Sequence, residues 1–167
     1  MRAAAFSAFM LACVAATPLS AQGSGAGDGL RFGISFGGIS TVGVVVELFR
    51  NTHAMEFGIG TWSFRDVSVS VVFKEYIGRH SLRPFAGAGL WAVVAAPAMS
   101  GERTGVVLVL RAPVGVDWSF VDDHSVGAVL NLNRGLWVRR SDPEDNLPMH
   151  PNRALVPLPG VYYRLTP

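Results

Sequence analysis

Alternation with a period of two residues is the feature that most restricts how this chain can fold. In about eight segments, bulky apolar side chains alternate with glycine, serine, asparagine or a charged residue. Successive side chains of a β-strand point to opposite faces, so each segment is predicted to be a strand with one apolar and one polar face. None shows a convincing amphipathic helical period with caps, which indicates an all-β fold. The predicted strands are Leu30–Gly38, Val42–Arg50, Ala54–Phe64, Val67–Tyr76, Leu82–Ala95, Gly105–Phe120, Ser125–Arg139 and Leu155–Leu165.

A charged pair inside an apolar segment illustrates this alternation. The segment VVLVLRAPVGVDWSFVDD contains Arg111 and Asp117, which lie six positions apart. On a strand both side chains point to the same face, while leucine, valine, tryptophan and phenylalanine occupy the other. By the same rule, strict alternation near the end of the seventh segment places Val138 on the apolar face and Arg139 on the polar face.

The composition of the two faces indicates which of them points outward. Charged residues make up 16% of the chain, against about a quarter in a typical soluble domain. The polar face is mostly glycine and other small residues, whereas a soluble barrel needs an outer surface rich in charged side chains. Glycine suits a crowded interior, where it leaves room for long neighbouring side chains. The sequence thus predicts an eight-stranded antiparallel up-and-down transmembrane β-barrel with a narrow polar lumen.

Charged residues on the polar face are predicted to meet inside the barrel. Four are positive and three negative, close to the balance that ion pairs in a desolvated lumen require. The expected lumen network comprises Arg31, Glu47, Glu56, Lys74, Arg111, Asp117 and Arg164. An ion or proton path is the functional alternative, but the interior of an eight-stranded barrel is just wide enough to be filled by side chains. We therefore favour a structural plug.

The N-terminal region differs from the rest of the chain. Residues 1–21 combine the positive Arg2 with an apolar stretch and a small residue at Ala21, as in a secretory signal peptide. We expect a glycine-rich linker at 22–29 and the barrel domain at 30–167, exported to the outer membrane of a Gram-negative cell envelope. The single cysteine lies in the leader, so the mature chain is expected to have no disulfide. The net charge of +2 gives no indication of nucleic-acid binding.

The connections between the predicted strands differ in length in a regular way. The two longest, PAMSGERT and RSDPEDNLPMHPNR, fall on the same side if the strands alternate up and down. Outer-membrane barrels have short periplasmic turns and longer external loops, which places the N-terminus of the barrel in the periplasm. Residues 140–153 are then the candidate surface for a partner, either another protein or lipopolysaccharide. A tolerated insertion without a partner is an equal alternative.

Aromatic residues that fall near strand ends are expected to form girdles where the barrel meets lipid headgroups. They are Trp62, Tyr76, Trp91, Trp118, Trp137, Tyr162 and Tyr163. The alternative is that they are ordinary core aromatics of a soluble barrel.

Two short motifs resemble those of a known family. LRPFAGAGLWA is similar to the Arg-Pro-aromatic, Gly-x-Gly fifth strand of the outer-membrane β-barrel domain family, which groups small OmpA-transmembrane-like and opacity-like barrels. APVGVDWSF is similar to the strand that follows it in that family. The resemblance covers the leader and nearly all of the mature chain. It implies a porin-like monomer that contacts outer-membrane lipid and lipopolysaccharide and is inserted by the outer-membrane assembly machinery. The C-terminus, YYRLTP, departs from the terminal aromatic residue common in such barrels.

Residues that could support catalysis are missing from the places where a related activity would need them. LNLNRGL resembles the seventh strand of the lipid A 3-O-deacylases, but Leu130 and Leu132 stand where that family has its histidine and serine. Asp122, Asp123 and His124 have no second cluster at metal-ligand spacing. No catalytic, metal or cofactor site is therefore expected.

The favoured function is that of a small outer-membrane protein with a structural or surface-interaction role and no enzymatic activity. Transport of a small or hydrophobic molecule is the first alternative. A lipid A deacylase-like barrel that lacks the catalytic pair is the second, and a soluble periplasmic lipid-binding barrel is the third.

Overall fold

A computed structural model describes residues 28–78, 80–96, 104–121, 123–140 and 154–167, and these form eight antiparallel strands. Each strand pairs with its neighbours in sequence, and the first pairs with the last, which closes the barrel. The prediction of an eight-stranded antiparallel up-and-down barrel is confirmed. The strands are β1 (Asp28–Gly37), β2 (Ser40–Arg50), β3 (His53–Thr61), β4 (Asp66–Tyr76), β5 (Leu82–Ala95), β6 (Gly105–Val121), β7 (His124–Arg139) and β8 (Val156–Leu165).

Two ends of the barrel can be distinguished by the connections they carry. The terminal end holds the start of β1, the end of β8 and the short β2–β3, β4–β5 and β6–β7 connections. The loop end holds the other four connections, including the two longest. The predicted leader 1–21, most of the linker 22–29 and most of loop 140–153 lie outside the described residues. The linker prediction was wrong at its end, because β1 already begins at Asp28.

The β3–β4 connection is longer than the sequence predicted, because β3 ends earlier. β3 ends at Thr61 rather than Phe64 because the Asp66 carboxylate accepts hydrogen bonds from the backbone N–H groups of Trp62 and Ser63, at 2.8 and 3.0 Å. Phe64 occupies the left-handed region, with φ 61°, which favours a turn over a continued strand. Slight desolvation opposes ionisation of Asp66. The hydrogen bonds from Ser63 and Trp62 outweigh it and lower the pKa of this carboxyl at the loop end.

A β-bulge changes the direction of the side chains at the end of β7. Leu108 of β6 pairs with Trp137, but the next residue of β6 pairs with Gly135, so Leu136 is an extra residue. Beyond it the alternation reverses: Trp137 and Arg139 are exposed, and Val138 is half-buried. The predicted directions of Val138 and Arg139 were therefore wrong, because strict alternation does not allow for the inserted residue.

The outer wall is apolar and the interior is polar. On the wall, large side chains such as Phe32, Ile34 and Phe36 are 43–48% exposed. Among the described residues, ten apolar side chains, including that of Pro113, are buried, against twelve polar or charged ones. Within this part of the chain no helix is long and apolar enough to cross a membrane. The barrel thus has the reverse of the distribution found in a water-soluble domain.

Glycines on the inner face make room for large side chains. A Cβ atom at Gly127 would lie 2.1 Å from Cζ of Tyr162, and one at Gly115 would lie 2.8 Å from the ring of Phe85. Real Cβ atoms do not approach other heavy atoms so closely, so these two positions require glycine for space. The predicted role of the inner glycines holds at both.

Candidate functional site

Three buried carboxylates form the centre of the barrel interior. Glu47 of β2, Glu56 of β3 and Asp117 of β6 are each at most 3% exposed. Glu47 and Glu56 are direct cross-strand partners, a position in which two like charges repel each other. Because neither carboxylate can be hydrated fully at this depth, cations must lie against them for both to stay ionised.

Glu56 is surrounded by three cationic side chains. Arg164 Nη2 donates a hydrogen bond to Glu56 Oε2 at 2.5 Å, and Lys74 Nζ donates to the same oxygen. Arg111 Nη2 lies 3.5 Å from Oε1. Arg111 is itself fixed on two further sides, because its Nε donates to Asn131 Oδ1 at 2.7 Å and its Nη1 to Ser70 Oγ at 3.1 Å.

Glu47 shares two of its cations with Glu56. Arg164 Nη1 lies 3.2 Å from Glu47 Oε2, and Lys74 Nζ lies 3.7 Å from Oε1. The hydroxyl of Tyr76 donates to Glu47 at 2.7 Å and accepts from Arg164 Nη1 at 2.9 Å. Arg164 and Tyr76 therefore connect the two glutamates in one network.

Asp117 lies against two further cations, Arg83 and Arg31. Arg83 Nη2 donates to Asp117 Oδ2 at 2.9 Å, and the hydroxyl of Tyr162 donates to Oδ1 at 3.0 Å. Arg31 Nη1 lies between Asp117 and Glu47, at 3.6 and 3.5 Å. All seven charged residues named from the sequence thus lie in the interior and take part in ion pairs.

Arg83 is a member of this network that the sequence analysis missed. It raises the positive side chains to five against three carboxylates. The side chains of Arg31 and Arg83 are 12% and 13% exposed, more than those of the other members, and both guanidinium groups stack on Phe49, at 4.5 and 5.3 Å. The three cations with the most buried side chains, Lys74, Arg111 and Arg164, match the three carboxylates in number. The excess positive charge therefore lies on Arg31 and Arg83, whose side chains can be partly hydrated.

The aromatic residues divide between the interior and the wall. Trp62, Trp118, Trp137 and Tyr163 are 37–52% exposed, whereas Tyr76, Trp91 and Tyr162 are at most 8% exposed. The girdle assignment of these last three was wrong. Tyr76 and Tyr162 point inward and bind carboxylates, and Trp91 Nε1 donates to Ser68 Oγ inside the barrel at 2.6 Å. Each lies two residues from an inward-facing residue of its own strand, either a charged one or a glycine. This even spacing could have predicted that the aromatic side chain points inward.

The interior leaves little free space. A cavity of about 30 Å³ lies beside Glu56, Lys74, Arg111 and Arg164. That volume holds at most about two water molecules. Among the described residues, the ion pairs therefore join seven strands, and side chains nearly fill the space beside Glu56.

The positions considered for catalysis and metal binding are not brought together. Leu130 is 40% exposed on the outer wall, while its neighbours Asn131 and Asn133 point inward. His124 Nδ1 lies 2.5 Å from the Tyr163 hydroxyl at the terminal end, and Asp122 lies outside the described residues. Among the residues described, no group of three or more His, Cys, Asp or Glu side chains is placed to hold a metal ion.

Comparison with known proteins gives one structural match. No protein-family model and no curated protein matches the sequence. The barrel superimposes on the N-terminal β-barrel domain of Pseudomonas aeruginosa OprF, with a TM-score of 0.54 and 14% sequence identity. The match covers 84% of this chain and 97% of that domain. The chain has the fold of the OprF barrel domain. At this level of identity the likeness concerns the fold alone.

Proposed function

We propose that this chain is a small outer-membrane β-barrel protein with a structural or surface-interaction role and a lumen closed by side chains. The observation that carries this proposal is the inverted distribution of polarity, with paired charges inside and apolar side chains outside. In water, such a wall would expose a far larger apolar surface than the few hundred Å² typical of soluble monomers. In lipid, the same wall is solvated and the closed strand ladder satisfies the backbone.

The exposed aromatic residues support a position in the membrane. They also allow the height of the apolar band on the outer wall to be estimated. Trp118 and Tyr163 lie toward the terminal end, and Trp62 and Trp137 lie toward the loop end. Trp118 pairs with Val126, and from Val126 to Trp137 β7 extends roughly 36 Å at ~3.3 Å per residue. With a tilt of ~40° this is about 28 Å along the barrel axis, close to the ~25 Å apolar band of outer-membrane barrels.

The orientation follows from the connections. With the terminal end in the periplasm, the short connections lie inside and the two longest connections lie at the cell surface. Loop 140–153 is then the surface offered to a partner, either a protein or lipopolysaccharide. The outward side chains of β8, among them Val161, Tyr163 and Leu165, are the ones available to the assembly machinery.

Two measurements on the mature chain test this proposal. We expect the purified protein to require detergent and to migrate differently on gels before and after heating, because a folded barrel resists unfolding by sodium dodecyl sulfate until it is heated. A protein that stays monomeric and folded in buffer without detergent would instead be a soluble lipid-binding barrel.

Labelling of intact cells tests the orientation. A cysteine placed at Asn146 should react with an impermeant reagent added from outside, and a matched cysteine at Asn51, in the β2–β3 turn, should not. Reaction of the second cysteine alone would reverse the orientation and remove the surface-interaction role.

A further inference from the structure

Arg134 is a charged residue on the outer wall, between two outward leucines. Leu132 precedes it and Leu136 follows it on the same face, and its cross-strand partner on β6 is Leu110. The other charged residues on the outer face of the described strands lie where strands end. They are at the terminal end of the barrel, where His53 pairs with Glu75, or at the last residue of β7. The neighbours of Arg134 on the wall are thus apolar and offer no partner for its charge.

The register places Arg134 near the loop end of the barrel. Asn133 pairs with Val156, the first residue of β8, so Arg134 lies level with the beginning of that strand. The bulge at Leu136 then turns Trp137 and Arg139 outward above it. The result is a strip of two exposed arginines with a tryptophan between them. We call Arg134, Trp137 and Arg139 the basic strip.

We propose that the basic strip binds the phosphate of an anionic lipid headgroup in the outer leaflet. This inference rests on the membrane position proposed above. A guanidinium group binds phosphate with two parallel hydrogen bonds, and a long arginine stem lets the charge reach the headgroup level while its methylenes stay against the wall. No carboxylate among the described residues forms an ion pair with Arg134 or Arg139.

The surroundings of the basic strip favour a lipid over a free phosphate ion. The strip is on an open, convex wall and not in an enclosed pocket, so a free ion would keep most of its contacts with water. A lipid would in addition place its acyl chains against Leu110 beside Arg134 and Leu132 below it, which continue the wall away from the loop end. The tryptophan ring suits the boundary between headgroup and acyl chain.

Native mass spectrometry of the mature chain in detergent micelles can measure this binding. The probes are phosphatidylglycerol and phosphatidylcholine with identical acyl chains, which differ in net charge. We expect phosphatidylglycerol to bind more tightly, and Arg134→Gln to weaken its binding about tenfold with little effect on phosphatidylcholine, as the loss of one charge-assisted contact implies. The matched control is Arg65→Gln, which removes an exposed arginine from the β3–β4 turn at the same end and should leave both affinities unchanged.

The outcomes separate this inference from the membrane proposal. Equal losses in Arg134→Gln and Arg65→Gln would show a general effect of net charge and overturn the site. Competition by inorganic phosphate at the lipid's own concentration would assign the strip to a free ion and overturn the lipid assignment. If Arg134→Gln does not fold, Arg134→Lys can replace it: it keeps the charge without the paired donors, so it should bind phosphatidylglycerol more weakly than the wild type. Full wild-type affinity in Arg134→Lys would overturn the paired-donor contact. Solubility without detergent would contradict the membrane proposal itself.

Discussion

Arg164 is the residue on which the ionic interior depends most. Its guanidinium group lies within 4 Å of all three buried carboxylates, at 3.2 Å from Glu47, 2.5 Å from Glu56 and 3.7 Å from Asp117. Glu47 and Glu56 oppose each other directly across β2 and β3, so a cation between them is needed to offset their repulsion. Arg111, in contrast, lies near Glu56 alone among the carboxylates.

The two arginines are therefore expected to differ in their effect on stability. Arg111→Leu should cost ~3 kcal/mol, and Arg164→Leu at least ~5 kcal/mol, because it removes a contact from all three carboxylates and leaves Lys74 as the one cation that Glu47 and Glu56 still share. The free energy of unfolding can be measured by urea titration in micelles, with Arg65→Leu as a surface control. A loss in Arg111→Leu equal to or larger than that in Arg164→Leu would contradict the central position of Arg164 among the three carboxylates.

Gly127 and Gly29 are a matched pair of inner glycines that differ in the space around them. A methyl group at Gly127 would meet the ring of Tyr162, whereas a methyl group at Gly29 would have nothing within 4 Å. Gly127→Ala should lower the free energy of unfolding by ~1–3 kcal/mol through overpacking. Gly29→Ala should leave it unchanged or raise it slightly by restricting the unfolded chain. Similar effects of both substitutions would show that the inner glycines are not required for space.

Most of the charged interior could be predicted from the sequence because alternation alone decides which face a strand residue occupies. The exception is Arg83, since β5 has small residues on both faces, glycine inside and alanine outside, and large residues on both as well, which gives little contrast in side-chain size. Tyr76 and Tyr162 were placed in the girdle by their nearness to strand ends, although each lies two residues from an inward charge, Lys74 or Arg164. Their partners could not be predicted, because side-chain reach across the lumen depends on the stagger of the closed barrel.

At the scale of single elements, the bulge in β7 decides what the loop end presents to its surroundings. An inserted residue leaves no separate mark in the sequence, because NRGLWVR fits a strand with or without it. The strand bounds, by contrast, follow from turn residues such as Asn51, whose φ of 56° suits a tight hairpin. Sequence alternation thus predicts that β7 exists, but it does not predict the direction in which the last side chains of β7 point.

Brominated lipid can test the direction of Trp137. In proteins that keep a single tryptophan, lipid with bromine on its acyl chains should quench Trp137, which faces the wall, and not Trp91, which faces the interior. Deleting Leu136 removes the extra residue and leaves Trp137 directly after the inward Gly135, so Trp137 should stay on the wall and keep its quenching. Trp118 is the control, since it faces the wall and lies far from the bulge. Loss of Trp137 quenching after the deletion would contradict the assignment of Leu136 as the extra residue.

At the scale of the whole molecule, the ion pairs connect strands that the backbone ladder joins only to their neighbours. The network takes residues from β1 to β6 and from β8, so it ties opposite walls together. The β1–β8 seam is short, from Phe32 with Leu165 to Gly37 with Gly160. Arg31 and Arg164 lie on the two sides of that seam and share Glu47 and Asp117. The network is therefore also a brace for barrel closure.

A lumen filled in this way should not conduct like an open porin. We expect the refolded wild-type protein, inserted into a planar bilayer, to give no large steady current, because paired side chains occupy the section beside a cavity of about 30 Å³. Insertion has to be shown independently by the heat-dependent gel mobility of the same sample. Replacing both Arg111 and Glu56 by alanine removes a cation and its carboxylate together, which should widen the lumen without changing its net charge. This variant should therefore conduct more than the wild type. A reproducible channel of porin size in the wild-type protein would contradict the closed lumen and favour transport of a small molecule as the function.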